Sequence, residues 1–220
     1  MMRGWGIALF AVAALMAGIA ISGTRKPAPP ATPPVAAGRT TDARVYFPDD
    51  RLPRLSLPDG GARPVRSLLN TRAPMHFGEY RWDEQDVPMG AVWVRVDLGA
   101  QTVSVFRAGH EIGTAVILYG TDGKPTPTGT FPIMAKAIEH RSSLYDAEMP
   151  YMLRLTGDGV AIHASAVRRG SATHGCIGVP AAFAARLFAV VKRGDPVAIL
   201  PIGSAPAHTD RAQNRASPRR

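Results

Sequence analysis

From Ala91 onward the chain alternates between short apolar runs and turn residues, and the period is that of strands. Val92-Trp93-Val94-Arg95-Val96-Asp97-Leu98 is a β-rich run closed by Gly99-Ala100, and Thr102 to Arg107 follows with alternating character, so the pair predicts a hairpin. A second turn at Ala108-Gly109-His110 leads into a run from Ile112 to Tyr119. The loop Gly120 to Thr128 holds Asp122-Gly123 and two prolines, after which Gly129 to Ile133 begins another short strand. Leu153 to Leu155 and Val160 to Ile162 flank Gly157-Asp158-Gly159, which reads as a tight turn.

The helical period occurs convincingly once, from Ala181 to Lys192, where Phe183, Leu187, Val190 and Val191 share a face behind Pro180. Gly194 stops it, and Pro196 to Leu200 closes the region as a strand. Many short strands and one helix predict a mainly β fold, a β-rich sandwich or barrel with its helix after Cys176. Upstream, residues 42–90 carry scattered apolar positions, many prolines and no clear period. A helical turn over Ser67 to Asn70 and an irregular or extended stretch from Met75 to Trp82 are the expectations there.

The first 40 residues change the picture from one domain to a domain with an extension. Arg3 precedes an apolar stretch from Gly4 to Gly23, long for the ~7–15-residue core of a cleaved signal and close to the ~20 residues of a spanning helix. Residues 1–23 are therefore expected to be a signal peptide or a membrane anchor, placing the body in the periplasm or on the extracytoplasmic face of the membrane. Residues 24–41, with five prolines between Pro27 and Pro34, read as an extended linker. Residues 42–90 follow as an extension of unknown role, then a catalytic domain at 91–200 and a basic disordered tail at 201–220.

The formal net charge of +9 invites a nucleic-acid reading, but the excess sits mainly at the ends. Residues 1–40 hold four cations and no acids, and residues 201–220 four cations against one acid. No basic face on the folded body is indicated, so nucleic acid is not an expected partner, and a membrane is one only through the N-terminal anchor.

The chain has one cysteine, Cys176. Exported proteins usually pair their cysteines, so a lone thiol there is either buried and inert or chemically employed. A thiol attacks as its thiolate and needs a base or a positive neighbour. Two histidines are candidates: His174 on the same side of an extended backbone, and His163 at the end of the preceding strand, across a loop containing Arg168-Arg169-Gly170-Ser171. Gly175 permits close backbone approach, and N–H groups around Cys176 are placed to receive an oxyanion. A His/His/Cys metal site is the competing reading; it lacks a fourth ligand and CxxC spacing, so no metal is expected.

His163 followed by Thr173-His174-Gly175-Cys176 resembles the signature of the L,D-transpeptidase (YkuD-type) catalytic domain, a histidine and then [S/T]-H-G-C. The resemblance extends through Val94 to Leu98, the loop Pro125 to Phe131, and Met149 to Leu155, covering about residues 91–200. It implies a β-rich sandwich with the cysteine at the end of a groove. It implies an enzyme that attacks the bond between an L-centre and a D-centre in a peptidoglycan tetrapeptide stem, releases the terminal D-residue and passes the acyl group to an amine of another stem. Cys176 would be the nucleophile and His163 the general base, oriented by a backbone carbonyl near Ala164, while His174, Gly175 and Thr173 support the acyl site. No cofactor is implied.

The chain departs from the family pattern at Gly178, where many members carry an arginine. Arg154, Arg168 or Arg169 are the candidates to supply that charge to substrate. Two alternatives share the site: an L,D-carboxypeptidase, in which water replaces the amine, and an inactive envelope-binding module that keeps the groove.

Overall fold

The computed structural model describes residues 41–142 and 146–204. The apolar segment at residues 1–23, the linker up to residue 40 and the tail from residue 205 lie outside the described residues. Among the described residues, no helix is long and apolar enough to cross a membrane.

Fourteen strands and one α-helix are present in the described chain. Five short strands come first, β1 (Arg44–Tyr46), β2 (Arg54–Ser56), β3 (Ala62–Pro64), β4 (Ser67–Leu69) and β5 (Tyr80–Trp82). Three longer ones follow, β6 (Val92–Asp97), β7 (Thr102–Arg107) and β8 (His110–Val116). Then come β9 (Gly129–Pro132), β10 (Ala135–Ala137), β11 (Met152–Arg154), β12 (Ala161–Ala164), β13 (Ile177–Val179), α1 (Ala181–Val190) and β14 (Pro196–Leu200). The larger sheet runs β1-β4-β8-β7-β6-β14-β9 with β5 also on β8, and a second sheet runs β10-β11-β12-β13. The fold is mainly β, as expected.

Residues from both sheets meet α1 in one core. Val94, Val96, Val103 and Ile112 from the larger sheet pack with Leu153, Ile162, Ile177 and Val179 from the smaller one and with Phe183 and Leu187 of α1. This two-sheet packing is the sandwich arrangement, and it makes α1 part of the filling. The helix ends at Val190, short of the expected Lys192, because Val191 is already extended. Lys136 on β10 then donates its Nζ protons to the carbonyls of Phe188 and Val191, capping the helix C-terminus.

Apolar side chains of β6 and β7 fall on both faces of the sheet for a simple reason: both faces are covered. Val94 and Val96 face the main core, whereas Trp93 stacks on Phe106 at 4.5 Å and 13° in a second cluster with Phe47, Leu55, Val65 and Leu68. Residues 47–68 thus shield the far side of the sheet. Ser67–Leu69 is a strand, not the expected helical turn. A three-residue stretch makes too few i→i−4 bonds to repay helix nucleation, and its backbone pairs instead with β1, while the Leu69 N–H donates to Glu111 Oε2 at 2.8 Å. Buried Arg44 secures this part of the sheet, donating from Nη1 to the Glu111 carbonyl (2.5 Å) and Ser67 Oγ (3.0 Å), and from Nη2 to the Asp83 carbonyl (2.6 Å).

Candidate active site

Strands β12 and β13 run parallel, with Ile162 opposite Ile177 and His163 opposite Gly178. Extending this register one residue sets Cys176 beside Ala161, and alternation puts Ala161, His163 and Ser165 on one face of the sheet. Cys176 and His163 are therefore diagonal neighbours on adjacent strands. Parallel strands need a crossover, and residues 165–176 supply it without a helix.

His163 is buried, 9% exposed. Its Nδ1 lies 2.9 Å from the Ala164 carbonyl oxygen, which can only accept, so Nδ1 carries the proton and Nε2 is left as the basic nitrogen. Burial pushes the imidazole pKa below 6.5; the Ala164 bond opposes the shift and His140 adds to it. Cys176 is half-buried, and its thiol lies 3.9 Å from the Gly159 carbonyl. Burial raises the thiol above its ordinary 9.0, the Ala161 backbone opposes this, and the charge of Asp158 adds to the rise. The resting pair is thus a neutral thiol beside a neutral imidazole, in contrast to the permanently lowered thiol pKa that a positive neighbour would give.

The loop carrying the cysteine is held at several points. Thr173 Oγ1 donates to the Cys176 carbonyl at 2.5 Å, and the Thr173 N–H donates to the Tyr119 carbonyl at 3.0 Å. Gly175 has φ +106°, a conformation that side-chain-bearing residues rarely adopt. Thr126 donates to its carbonyl at 3.0 Å and accepts from the Gly120 N–H at 2.9 Å. Gly120 sits so tightly in this knot that a Cβ there would lie 2.0 Å from the Lys124 carbonyl.

Thr173, His174, Gly175, Cys176 and His163 all open on one groove of about 690 Å³. Arg154 lines it as well, with Nε donating to the Thr156 carbonyl at 3.0 Å and Nη2 to that of Gly157. Arg168 and Arg169 are exposed and are not among the groove's lining residues; the Arg169 guanidinium lies 5.8 Å from the centre of the Phe77 ring. Sequence reasoning missed Lys124, His140 and Asp158 as groove residues. The loop around Lys124 and the Gly157-Asp158-Gly159 turn were both recognisable, but nothing local ties them to a cysteine distant in the chain.

The space beside Gly178 is taken. A Cβ on Gly178 would meet Ser165 Oγ at 2.8 Å and Ser165 Cβ at 2.9 Å, so the Ser165 side chain occupies the volume that a larger residue at 178 requires. Among the described residues, no group of three or more His, Cys, Asp or Glu side chains converges as a metal site.

Residues 91–199 match the family model of the L,D-transpeptidase catalytic domain. Among solved structures, the chain is similar to an L,D-transpeptidase from Mycobacterium smegmatis, at 25% identity and a TM-score of 0.47 over 50% of this chain and 58% of that one. It is also similar to one from Stackebrandtia nassauensis, at 24% identity and a TM-score of 0.49 over 62% of this chain and 64% of that one. One from Mycobacterium tuberculosis shows 25% identity and a TM-score of 0.47 over 50% and 58% of the two chains. The match thus spans less than two thirds of these proteins' own length. No curated protein matches the chain. Through residues 91–199 the chain belongs to the L,D-transpeptidase catalytic domain family.

Proposed function

We propose that the protein is a peptidoglycan L,D-transpeptidase acting through a cysteinyl acyl-enzyme. The observation that carries this reading is the pairing of Cys176 with a buried His163 whose Nδ1 is committed to Ala164, both opening on one groove. Cys176 gives its proton to His163 Nε2 as its sulfur attacks the carbonyl of the L-centre in a tetrapeptide stem. N–H groups of the cysteine loop receive the oxyanion, and His163 returns the proton to the departing D-residue. Because burial holds the thiol protonated at rest, His163 works as a general base at the moment of attack. Lys124 and Arg154 provide positive charge for the stem carboxylates, a role that Gly178 cannot fill. The chemistry calls for no metal or organic cofactor.

The acyl group then passes to an amine of a second stem. The same acyl-enzyme with water as acceptor would make the protein an L,D-carboxypeptidase, and a groove without turnover would make it a binding module. Residues 91–200 would carry the catalysis, and residues 1–23 would serve as export signal or anchor for an extracytoplasmic enzyme. Incubation with defined muropeptides followed by mass spectrometry decides among these. Cross-linked dimers support the transpeptidase, tripeptides alone support the carboxypeptidase, and unchanged tetrapeptide overturns an enzymatic role.

A further inference from the structure

Among the charged and imidazole side chains lining the groove, all but one are positive or basic. Lys124, Arg154, His140, His163 and His174 all line it, and Asp158 is the one carboxylate among its described lining residues. Asp158 sits at the exposed tip of the turn between β11 and β12. Thr156 Oγ1 donates to Asp158 Oδ1 and also accepts from the Val160 N–H at 3.0 Å, which fixes the turn. The neighbouring Gly159 carbonyl is the group that the Cys176 thiol approaches, so the same turn delivers the acid to the rim beside the sulfur. No Lys, Arg or His forms an ion pair with Asp158 among the described residues.

A carboxylate outside any ion pair, on the turn whose carbonyl the sulfur approaches, is a poor arrangement for forming a thiolate, since its negative charge opposes ionisation of the thiol even though Lys124 and Arg154 partly offset that charge. It is a good arrangement for the second half of a transfer reaction, whose incoming partner is a primary amine that water holds as an ammonium ion. The geometry points to Asp158 as the residue that draws and orients the acceptor ammonium at the acyl-enzyme, a specificity-determining role that rests on the transpeptidase reading above. The ammonium loses one proton to solvent near the carboxylate. The freed nitrogen then attacks the thioester carbonyl, the C–N bond forms as the C–S bond breaks, and the second proton passes through His163 Nε2 to the leaving sulfur. Asp158 thereby favours amine over water at one step and slows thiol ionisation at another.

The Asp158→Asn variant tests this, because its side-chain oxygen still accepts from Thr156 and only the charge is lost. Donor stem and a graded concentration of an amine acceptor are supplied, and release of the D-residue, cross-linked product and hydrolysed product are followed separately. The expected result is a rise of about fivefold in the amine concentration giving half-maximal transfer, the size that one exposed charge pair supports. Product shifts toward hydrolysis, D-residue release continues, and Asp158→Glu recovers most of the preference. Hydroxylamine, uncharged at neutral pH, should be used equally well by both forms. An unchanged amine dependence with D-residue release intact would overturn the role of Asp158 while leaving transpeptidation standing. Failure of the unaltered protein to release the D-residue would overturn the transpeptidase reading itself.

Discussion

Thr126 donates its hydroxyl proton to the carbonyl of Gly175, the residue immediately before the candidate nucleophile, at 3.0 Å. The same oxygen accepts from Gly120, so one buried hydroxyl joins the loop after β8 to the cysteine loop. Thr126→Val keeps the shape and leaves both backbone groups without this partner, at about 1–3 kcal/mol. Thermal unfolding should show the loss, and turnover should fall at temperatures where both forms are folded. Thr126→Ser should restore both. A valine variant as active as the parent would mean that the bridge does not hold the site.

Replacing Cys176 with Ser should leave the circular dichroism spectrum intact and remove nearly all turnover, since a hydroxyl ionises far less readily than a thiol. A carbapenem offers a second test. Opening of its ring by the sulfur gives a thioester and one added mass per chain, whereas Cys176→Ala should gain none. Absence of an adduct on the parent protein would remove the nucleophile from the proposal.

The pH dependence follows from burial. His163 must be neutral to accept a proton, and its pKa lies below 6.5, so the acidic limb of kcat/KM should fall below that value. The thiol lies above 9.0, so direct iodoacetamide labelling should still be rising at that pH. His163→Ala should slow labelling at neutral pH much more than His174→Ala does. The reverse order would assign the base to His174. Linkage gives a stability effect of the same origin: a folded pKa below the unfolded 6.5 favours the neutral ring, so this contribution is present above 6.5 and lost as the pH falls through the folded value.

Gly178 and Ser165 should be energetically coupled. Gly178→Ala forces its methyl group against Ser165, at about 1–3 kcal/mol for overpacking. Ser165→Gly opens the space, so the double variant should recover most of the loss in a thermal double-mutant cycle. Additive effects would show that the surrounding strands absorb the clash.

How much of this was legible in the chain depended on where each interaction closes. The β6–β7 hairpin pairs neighbours in sequence, and its alternating residues announce it. Strand β4 could not be read that way. It has three residues, and its partners lie on β1 and β8, where Arg44 of β1 is buried on distant carbonyls and carries no apolar signal of its own. The candidate site divides along the same line. Cys176, His163 and the residues between them stand in one recognisable segment, and the carbonyl holding His163 belongs to the next residue. Lys124 and Asp158 reach the groove from two separate turns, and only the completed sheets bring those turns together. Arg168 and Arg169 were attractive because they are close to the cysteine in sequence, yet they belong to the crossover's exposed tip.

That tip, residues 168–172, has a consequence for how such a protein can change over time. The spacing of thiol and imidazole is set by a ladder between two parallel strands, and the crossover is fastened separately, by Val167 in a small apolar cluster and by Thr173 against Tyr119. Between those fastenings the chain is exposed and bends through Gly170 at φ +78°. Lengthening a surface loop costs only a fraction of a kilocalorie per added residue, roughly 0.6 kcal/mol for each doubling. Insertions and charge changes at 168–172 are therefore tolerable without disturbing the placement of Cys176 against His163. The segment is the natural place for lineages to diverge, and for an engineer to graft a new recognition element.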